Sequence, residues 1–94
     1  MIDSEITRPI QFTLRERHLI VNLLSVEPDI VEKFQLAILK GQTLVVSLSA
    51  SDMDVLLGAI AADANHTEQR KLQKELDQLF VRLDDVSASE FPED

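Results

Sequence analysis

Two histidines, His18 and His66, are the only side chains that titrate near neutral pH, so they are the first candidates for acid–base chemistry. Polar residues lie around the second of them: Asp63, Asn65 and Glu68. A catalytic or metal site would need these groups to converge on the imidazole of His66. Capping of a helix explains such a stretch without any chemistry. We therefore expect Asn65 to cap a helix and His66 to cover its first turn.

Other kinds of site have weaker support in the sequence. Asp52 and Asp54 could bind a metal, but residues two apart point to different sides of a helix. Three serines, Ser47, Ser49 and Ser51, have no histidine or lysine in the same segment to activate them. The chain has two glycines and no phosphate-binding loop. We therefore expect no enzyme activity and no catalytic, cofactor-binding or metal-binding residue.

Composition limits the possible partners and locations. The 94 residues are 45% apolar and carry a net charge of −8, with no cysteine. Nucleic-acid binding needs clustered basic residues, so we expect no nucleic-acid partner. No apolar run is long enough for a membrane span and no secretory leader is recognisable. We expect a cytoplasmic protein without a membrane partner.

The first half of the sequence predicts a pair of helices. Thr13 and Glu16 form a capping-box pattern, which predicts a first helix over about 14–25. Pro28 suits the first turn of a second helix, and Gly41 suits its C-terminal cap. This predicts a helix over 28–40 that packs antiparallel to the first one.

The second half predicts a strand and two further helices. Residues 43–48 are rich in β-branched side chains and predict a short strand. Ser49 and Asp52 form a second capping box at the start of a third helix. Asn65 is the predicted cap of a long amphipathic fourth helix.

The two halves share a pattern when the sequence is shifted by 36 residues. Residues 10–13 then fall on residues 46–49, and each half reads as an extended piece, a cap and two helices. This predicts a tandem pseudo-repeat over about 10–43 and 46–79. The predicted fold is mainly α, with four helices as two αα-hairpins. A short two-stranded β-ribbon lies between the repeats if residues 10–12 pair with residues 44–48.

The predicted domain boundaries follow from these elements. A single helical domain covers 10–86, after a flexible N-terminus over 1–9. The remaining residues, 87–94, are rich in serine and acidic residues and predict a disordered acidic tail.

Part of the second half resembles a small uncharacterised bacterial helical domain. The residues that carry the resemblance are the stretches 47–49, 61–67 and 71–76. The resemblance implies a mostly helical domain of unknown function, and it assigns no activity and no functional residue.

The apolar faces of the predicted helices indicate what kind of function the chain has. A domain this small cannot bury all its apolar side chains internally, and an exposed apolar surface usually marks a partner site. We expect a non-catalytic protein-interaction or assembly module that self-associates as a homodimer, or binds another protein. The expected anchors lie on the fourth and second helices: Leu72, Leu76, Leu79, Phe80, Leu83, Leu36 and Leu39. The alternative is a small acidic regulatory or antitoxin-like protein that neutralises a basic partner.

Overall fold

The chain folds as a mainly α protein with a small sheet. The structure is a computed structural model that describes residues 6–92. It is 62% helical and has four helices and a three-stranded antiparallel sheet within that range, which confirms the predicted mainly α class. The elements in chain order are β1 (Thr7–Thr13), α1 (Leu14–Val21), α2 (Pro28–Gln35), β2 (Leu39–Lys40), β3 (Thr43–Ser49), α3 (Ala50–His66) and α4 (Arg70–Glu90).

The sheet has the strand order β1-β3-β2 and both pairings are antiparallel. β1 and β3 pair along seven residues, with Ile10 opposite Val46 at the centre. The sheet therefore contains the pairing of 10–12 with 44–48 that the sequence suggested, but a third strand extends it beyond a two-stranded ribbon.

The third strand replaces the end of the predicted second helix. α2 ends at Gln35 rather than at residue 40, and Lys40 pairs with Thr43 across a two-residue loop. Gly41 in that loop has a φ of 65°, and Gln42 is not in the positive-φ region. Glycine first in such a loop is the pattern of a type II′ hairpin turn. The glycine therefore turns a hairpin and does not cap a helix.

The junction between the last two helices also differs from the prediction. Asn65 is not a cap, because α3 continues through His66 and α4 begins only at Arg70. The hydroxyl of Thr67 accepts a hydrogen bond from the backbone N–H of Gln69 at 3.2 Å, which fixes the short link. α3 and α4 are therefore two separate helices.

The ordered elements extend past both predicted domain boundaries. β1 begins at Thr7, inside the segment predicted to be flexible, and pairs with β3 along its full length. α4 continues to Glu90, inside the segment predicted to be a disordered tail, because its backbone hydrogen bonds continue to the cap at Phe91. Residues 1–5 and 93–94 of those two segments lie outside the described residues.

Both predicted capping boxes are present. The hydroxyl of Thr13 accepts from the N–H of Glu16 at 3.1 Å, and the carboxylate of Glu16 accepts from the N–H of Thr13 at 2.9 Å. Ser49 and Asp52 make the same two hydrogen bonds at the start of α3, both at 3.1 Å. Each helix therefore begins directly where its strand ends.

The core lies between one face of the sheet and the helices. Alternate residues of β1 and β3 point inward, and the ring of Phe12 meets the ring of Phe34 edge-on at 4.7 Å. α3 packs against both β3 and α4. The fully buried large side chains of this core are Phe12, Phe34, Ile20, Leu44, Leu48, Met53, Leu56, Ile60, Leu76 and Leu83.

Two ion pairs join α4 to α1. Arg15 of α1 binds Glu75 of α4 at 2.6 Å. Arg82 binds Glu16 through two hydrogen bonds of 2.5 and 2.7 Å, and its guanidinium lies 5.5 Å from the ring centre of Phe12. These contacts fix the C-terminal helix across the beginning of the chain.

Candidate interaction surface

Three of the predicted anchors belong to the core and not to the surface. Leu76, Leu79 and Leu83 are 1%, 3% and 0% exposed. Their prediction as interface anchors was wrong, because α3 packs along α4 and covers its leucine stripe within one chain. Leu72 and Phe80 are partly buried against the same core.

The other two predicted anchors are exposed. Leu36 is 75% exposed and Leu39 is 51% exposed. Two further apolar residues accompany them, namely Ile38 at 75% and Val45 at 38%. We call these four residues, Leu36, Ile38, Leu39 and Val45, the β3-edge patch.

The patch lies beside an open edge of the sheet. β3 pairs with β1 over residues 43–49, but β2 covers the other side of β3 only opposite Thr43 and Leu44. From Val45 onward, that side of β3 pairs with no strand within residues 6–92. A cleft of about 560 Å³ follows this edge, and its lining residues are Lys33, Leu36, Ala37, Ile38, Lys40, Val45, Val46 and Ser47.

The charge of the cleft differs from that of the whole chain. The chain carries a net charge of −8, yet the cleft is lined by two lysines and by no carboxylate. The ammonium of Lys33 binds Asp52 at 2.6 Å, whereas Lys40 has no ion-pair partner in the described part of the chain. Burial of Asp52 acts to raise the pKa of its carboxyl. Hydrogen bonds from Lys33 and from the N–H of Ser49 outweigh the burial, so this pKa lies below its usual range.

The opposite edge of the sheet is partly closed. Pro9 of β1 has no N–H to donate to an added strand. The carbonyl of Gln11 accepts a hydrogen bond from the guanidinium of Arg82 at 3.2 Å. Proline and covering side chains are common means of keeping an edge strand from pairing with another chain. β3 therefore offers the more accessible edge.

No protein-family model matches the chain, and no curated protein or solved structure matches it. None of the helices between residues 6 and 92 is both long and apolar enough to cross a membrane.

Two of the polar residues considered for catalysis, Asp63 and His66, line a second cleft, whereas Asn65 and Glu68 are not among its lining residues. This cleft has a volume of about 550 Å³, and Asp63, His66, Thr67 and Gln69 are among its lining residues. The carboxylate of Asp63 accepts from the N–H of Leu24 at 2.6 Å, which holds the loop after α1 against α3. The Nδ1 of His66 donates to the carbonyl of Ala62 at 2.7 Å.

Asp63 and His66 are each bound to a backbone group at the second cleft. One carboxylate oxygen of Asp63 is occupied by backbone, and His66 is the last residue of α3 rather than part of the first turn of α4. No group of three or more histidine, cysteine, aspartate or glutamate residues that could hold a metal lies within residues 6–92. His18, the other histidine, is exposed on α1.

Sequence reasoning missed two residues of the patch, Ile38 and Val45. Ile38 falls within the helix predicted over 28–40, but it lies beyond the end of α2 and is largely exposed. The signal that could have found it is Gly41 followed by Gln42, a glycine-first pair typical of two-residue hairpin loops. That interpretation would have ended the helix earlier and placed Val45 on the outer face of a strand.

Proposed function

We propose that this chain is a non-catalytic protein-interaction module that self-associates through the β3-edge patch. The observation that carries the proposal is that three exposed apolar side chains, Leu36, Ile38 and Val45, line one cleft beside the unpaired edge of β3, with exposed Leu39 next to Ile38 in the chain. Exposed apolar surface is costly in water, and covering it gains roughly 25 cal/mol for each Å². Isolated exposed apolar residues are common on monomers, but contiguous ones mark interaction sites.

The anchors in this proposal differ from those first expected. Leu36 and Leu39 keep their predicted role, and Ile38 and Val45 join them. The buried leucines of α4 stabilise the single chain and take no part. The arrangement of the four helices as two αα-hairpins belongs to the same proposal, in which each half begins with a long strand followed by two helices and the first half adds the short strand β2. The capping boxes at Thr13 and Ser49, 36 residues apart, support this repeat.

Sedimentation velocity of matched leucine variants tests the proposal. At tens of micromolar, roughly the weak end of specific association, we expect the wild-type chain to sediment as a dimer. The variant Leu36→Ser removes an exposed leucine of the patch and should sediment as a monomer. Leu24→Ser is the matched control, because Leu24 is 93% exposed and lies outside the patch. A wild-type monomer, or equal loss of dimer in both variants, would contradict the proposal.

The net charge of −8 favours a second function, in which an acidic regulatory or antitoxin-like protein neutralises a basic partner. Exposed carboxylates follow the outer side of α4 at Asp77, Asp84 and Asp85. Attraction between opposite charges weakens as salt is added, whereas apolar contacts hold. Complex formation that is lost in high salt would favour this second function over the apolar patch. Both proposals place the module in the bacterial cytoplasm, as composition and resemblance suggest, without nucleic-acid or membrane partners.

A further inference from the structure

We infer that the second cleft binds the ammonium group of an aliphatic amine, with the carboxylate of Asp63 as its counter-charge. This cleft shares no lining residue with the cleft beside the β3-edge patch. The inference therefore goes beyond the proposed self-association and holds or fails independently of it.

Asp63 is a half-buried carboxylate without a cationic partner. It forms no ion pair within residues 6–92. One of its oxygens accepts a hydrogen bond from the N–H of Leu24 at 2.6 Å, and the other accepts none from the described part of the chain. A carboxylate that is partly removed from water gains from a hydrogen-bonded cation. The open oxygen of Asp63 therefore favours a cationic ligand.

The end of α3 favours a cation at the same place. Asp63 lies in the last turn of this helix, where the peptide dipoles are negative and the last carbonyls lack partners within the helix. A carboxylate in such a turn is unfavourable without a nearby positive charge. The basic side chain of that turn, His66, donates to the carbonyl of Ala62. The net charge of −8 adds to the attraction for a cation.

The other polar residues of the cleft suit the three N–H donors of an ammonium group. Neither lysine nor arginine is among the lining residues. The side-chain NH₂ of Asn22 donates to the carbonyl of His18 at 2.7 Å, so the amide oxygen of Asn22 is left to accept. The amide oxygen of Gln69 is a further acceptor at this cleft. A volume of about 550 Å³ lies within the range of small-molecule sites.

An adjoining cavity provides an apolar surface for the stem of the amine. This cavity of about 190 Å³ shares Asp63 and Leu72 with the cleft, and buried Leu76 also lines it. Of its two basic residues, Arg15 already binds a glutamate of α4, and His18 is exposed on α1. The ligand is therefore an ammonium group on a short alkyl stem, the form of both a free alkylamine and a lysine side chain.

An NMR titration with butylamine tests the site. At about pH 8 histidine is neutral and an alkylamine is still charged. We expect saturable shifts that include the backbone amide signals of Leu24 and Gln69, with a dissociation constant of about 1 mM. Butanol has the same stem without the charge and should bind roughly 10-fold more weakly or worse. Equal binding of butanol, or no saturable binding of butylamine, would overturn the inference.

Two matched variants test the role of the carboxylate. Asp63→Asn keeps an oxygen for the N–H of Leu24 and removes the charge, so it should weaken butylamine binding by roughly 10-fold or more. Asp84→Asn removes the same charge from an exposed position on α4 and should bind like the wild type. Equal weakening in both variants would reduce the effect to net charge and overturn the site. Circular dichroism shows whether each variant is folded, and the comparison of butylamine with butanol decides alone if Asp63→Asn is not.

A blocked lysine distinguishes the two sources of the amine. N-acetyl-lysine methylamide presents the ammonium as a protein chain does. If it binds at least as tightly as butylamine, the ligand is a lysine side chain of a basic partner. If it is excluded while butylamine binds, the ligand is a free amine, and the site holds in either case.

The variant Leu36→Ser separates this inference from the proposed function. Its substitution lies outside the second cleft, so it should bind butylamine like the wild type whether or not it dimerises. A wild-type monomer that binds butylamine removes the self-association and retains the amine site. A wild-type dimer that binds no butylamine does the reverse.

Discussion

The contact between Arg82 and Glu16 offers a quantitative test of how α4 is held against the start of the chain. The two side chains are 39% and 16% exposed and are joined by hydrogen bonds of 2.5 and 2.7 Å. A third hydrogen bond of 3.2 Å reaches the carbonyl of Gln11. A fully exposed ion pair contributes at most about 1 kcal/mol, whereas one hydrogen bond to a charged group contributes about 1.5–3 kcal/mol. For this half-buried contact we expect about 2 kcal/mol.

The perturbation is Arg82→Met, which keeps an apolar stem over the ring of Phe12 and removes the guanidinium. Urea unfolding should show a loss of about 2 kcal/mol in the free energy of unfolding. For a domain of this size this lowers Tm by roughly 8–16 °C. Arg70→Met is the matched control, because Arg70 is exposed on α4 and has no ion pair within the described residues. That control should stay within about 0.5 kcal/mol of the wild type.

A double-mutant cycle with Glu16→Gln isolates the pairwise contribution. Glutamine can still accept the capping hydrogen bond from Thr13, so the cycle removes chiefly the charge-assisted contact. We expect a coupling free energy of about 1 kcal/mol or more. A coupling near zero would refute the reasoning, since it would mean that the two side chains contribute independently of their contact.

Three further predictions concern the core, the hairpin and pH. Leu83→Ala empties a fully buried site and should cost about 3–4 kcal/mol in urea unfolding without weakening the dimer, whereas exposed Val81→Ala should cost less than about 0.5 kcal/mol. Gly41→Ala should cost about 1–2 kcal/mol by the same measurement, because alanine resists a φ of 65° although its Cβ would meet no atom. The pKa of Asp52 is lowered in the folded chain, so its stabilisation is present above the ordinary value of 3.8 and is lost as the pH falls through the folded-state value. The difference in unfolding free energy between wild type and Asp52→Asn should therefore shrink from neutral pH into the acid range. A constant difference would show that the charge of Asp52, and hence its pair with Lys33, is not responsible.

Local signals in the sequence were the most reliable guide to the fold. The capping boxes at Thr13 and Ser49 join residues only three apart, so they form whatever the rest of the chain does. They fixed where α1 and α3 begin. The prediction of Asn65 as a cap was wrong because α3 continues past it to His66. The presence of a residue type that can cap a helix does not show that a helix begins there.

The sequence alone could not decide those structural features that depend on contacts with distant parts of the chain. Gly41 suits both a helix end and a hairpin turn, and the choice depends on whether Leu39 and Lys40 find β3 as a partner. The leucine stripe of α4 has the same spacing whether it packs on α3 or on a second chain. The candidate surface was therefore predicted only at Leu36 and Leu39.

The pairing of β1 with β3 has a consequence for the order of events during synthesis. The first strand leaves the ribosome before its hydrogen-bonding partner has been translated, so Ile10 and Phe12 stay uncovered while α1, α2 and the hairpin turn are being made. Nascent strands in this condition are prone to aggregate with neighbouring chains. Pro9 has no backbone N–H, so unpaired β1 offers one hydrogen-bond donor fewer to a neighbouring chain until β3 has been made. Pro9 thus disfavours pairing of β1 with other chains both during synthesis and in the folded sheet.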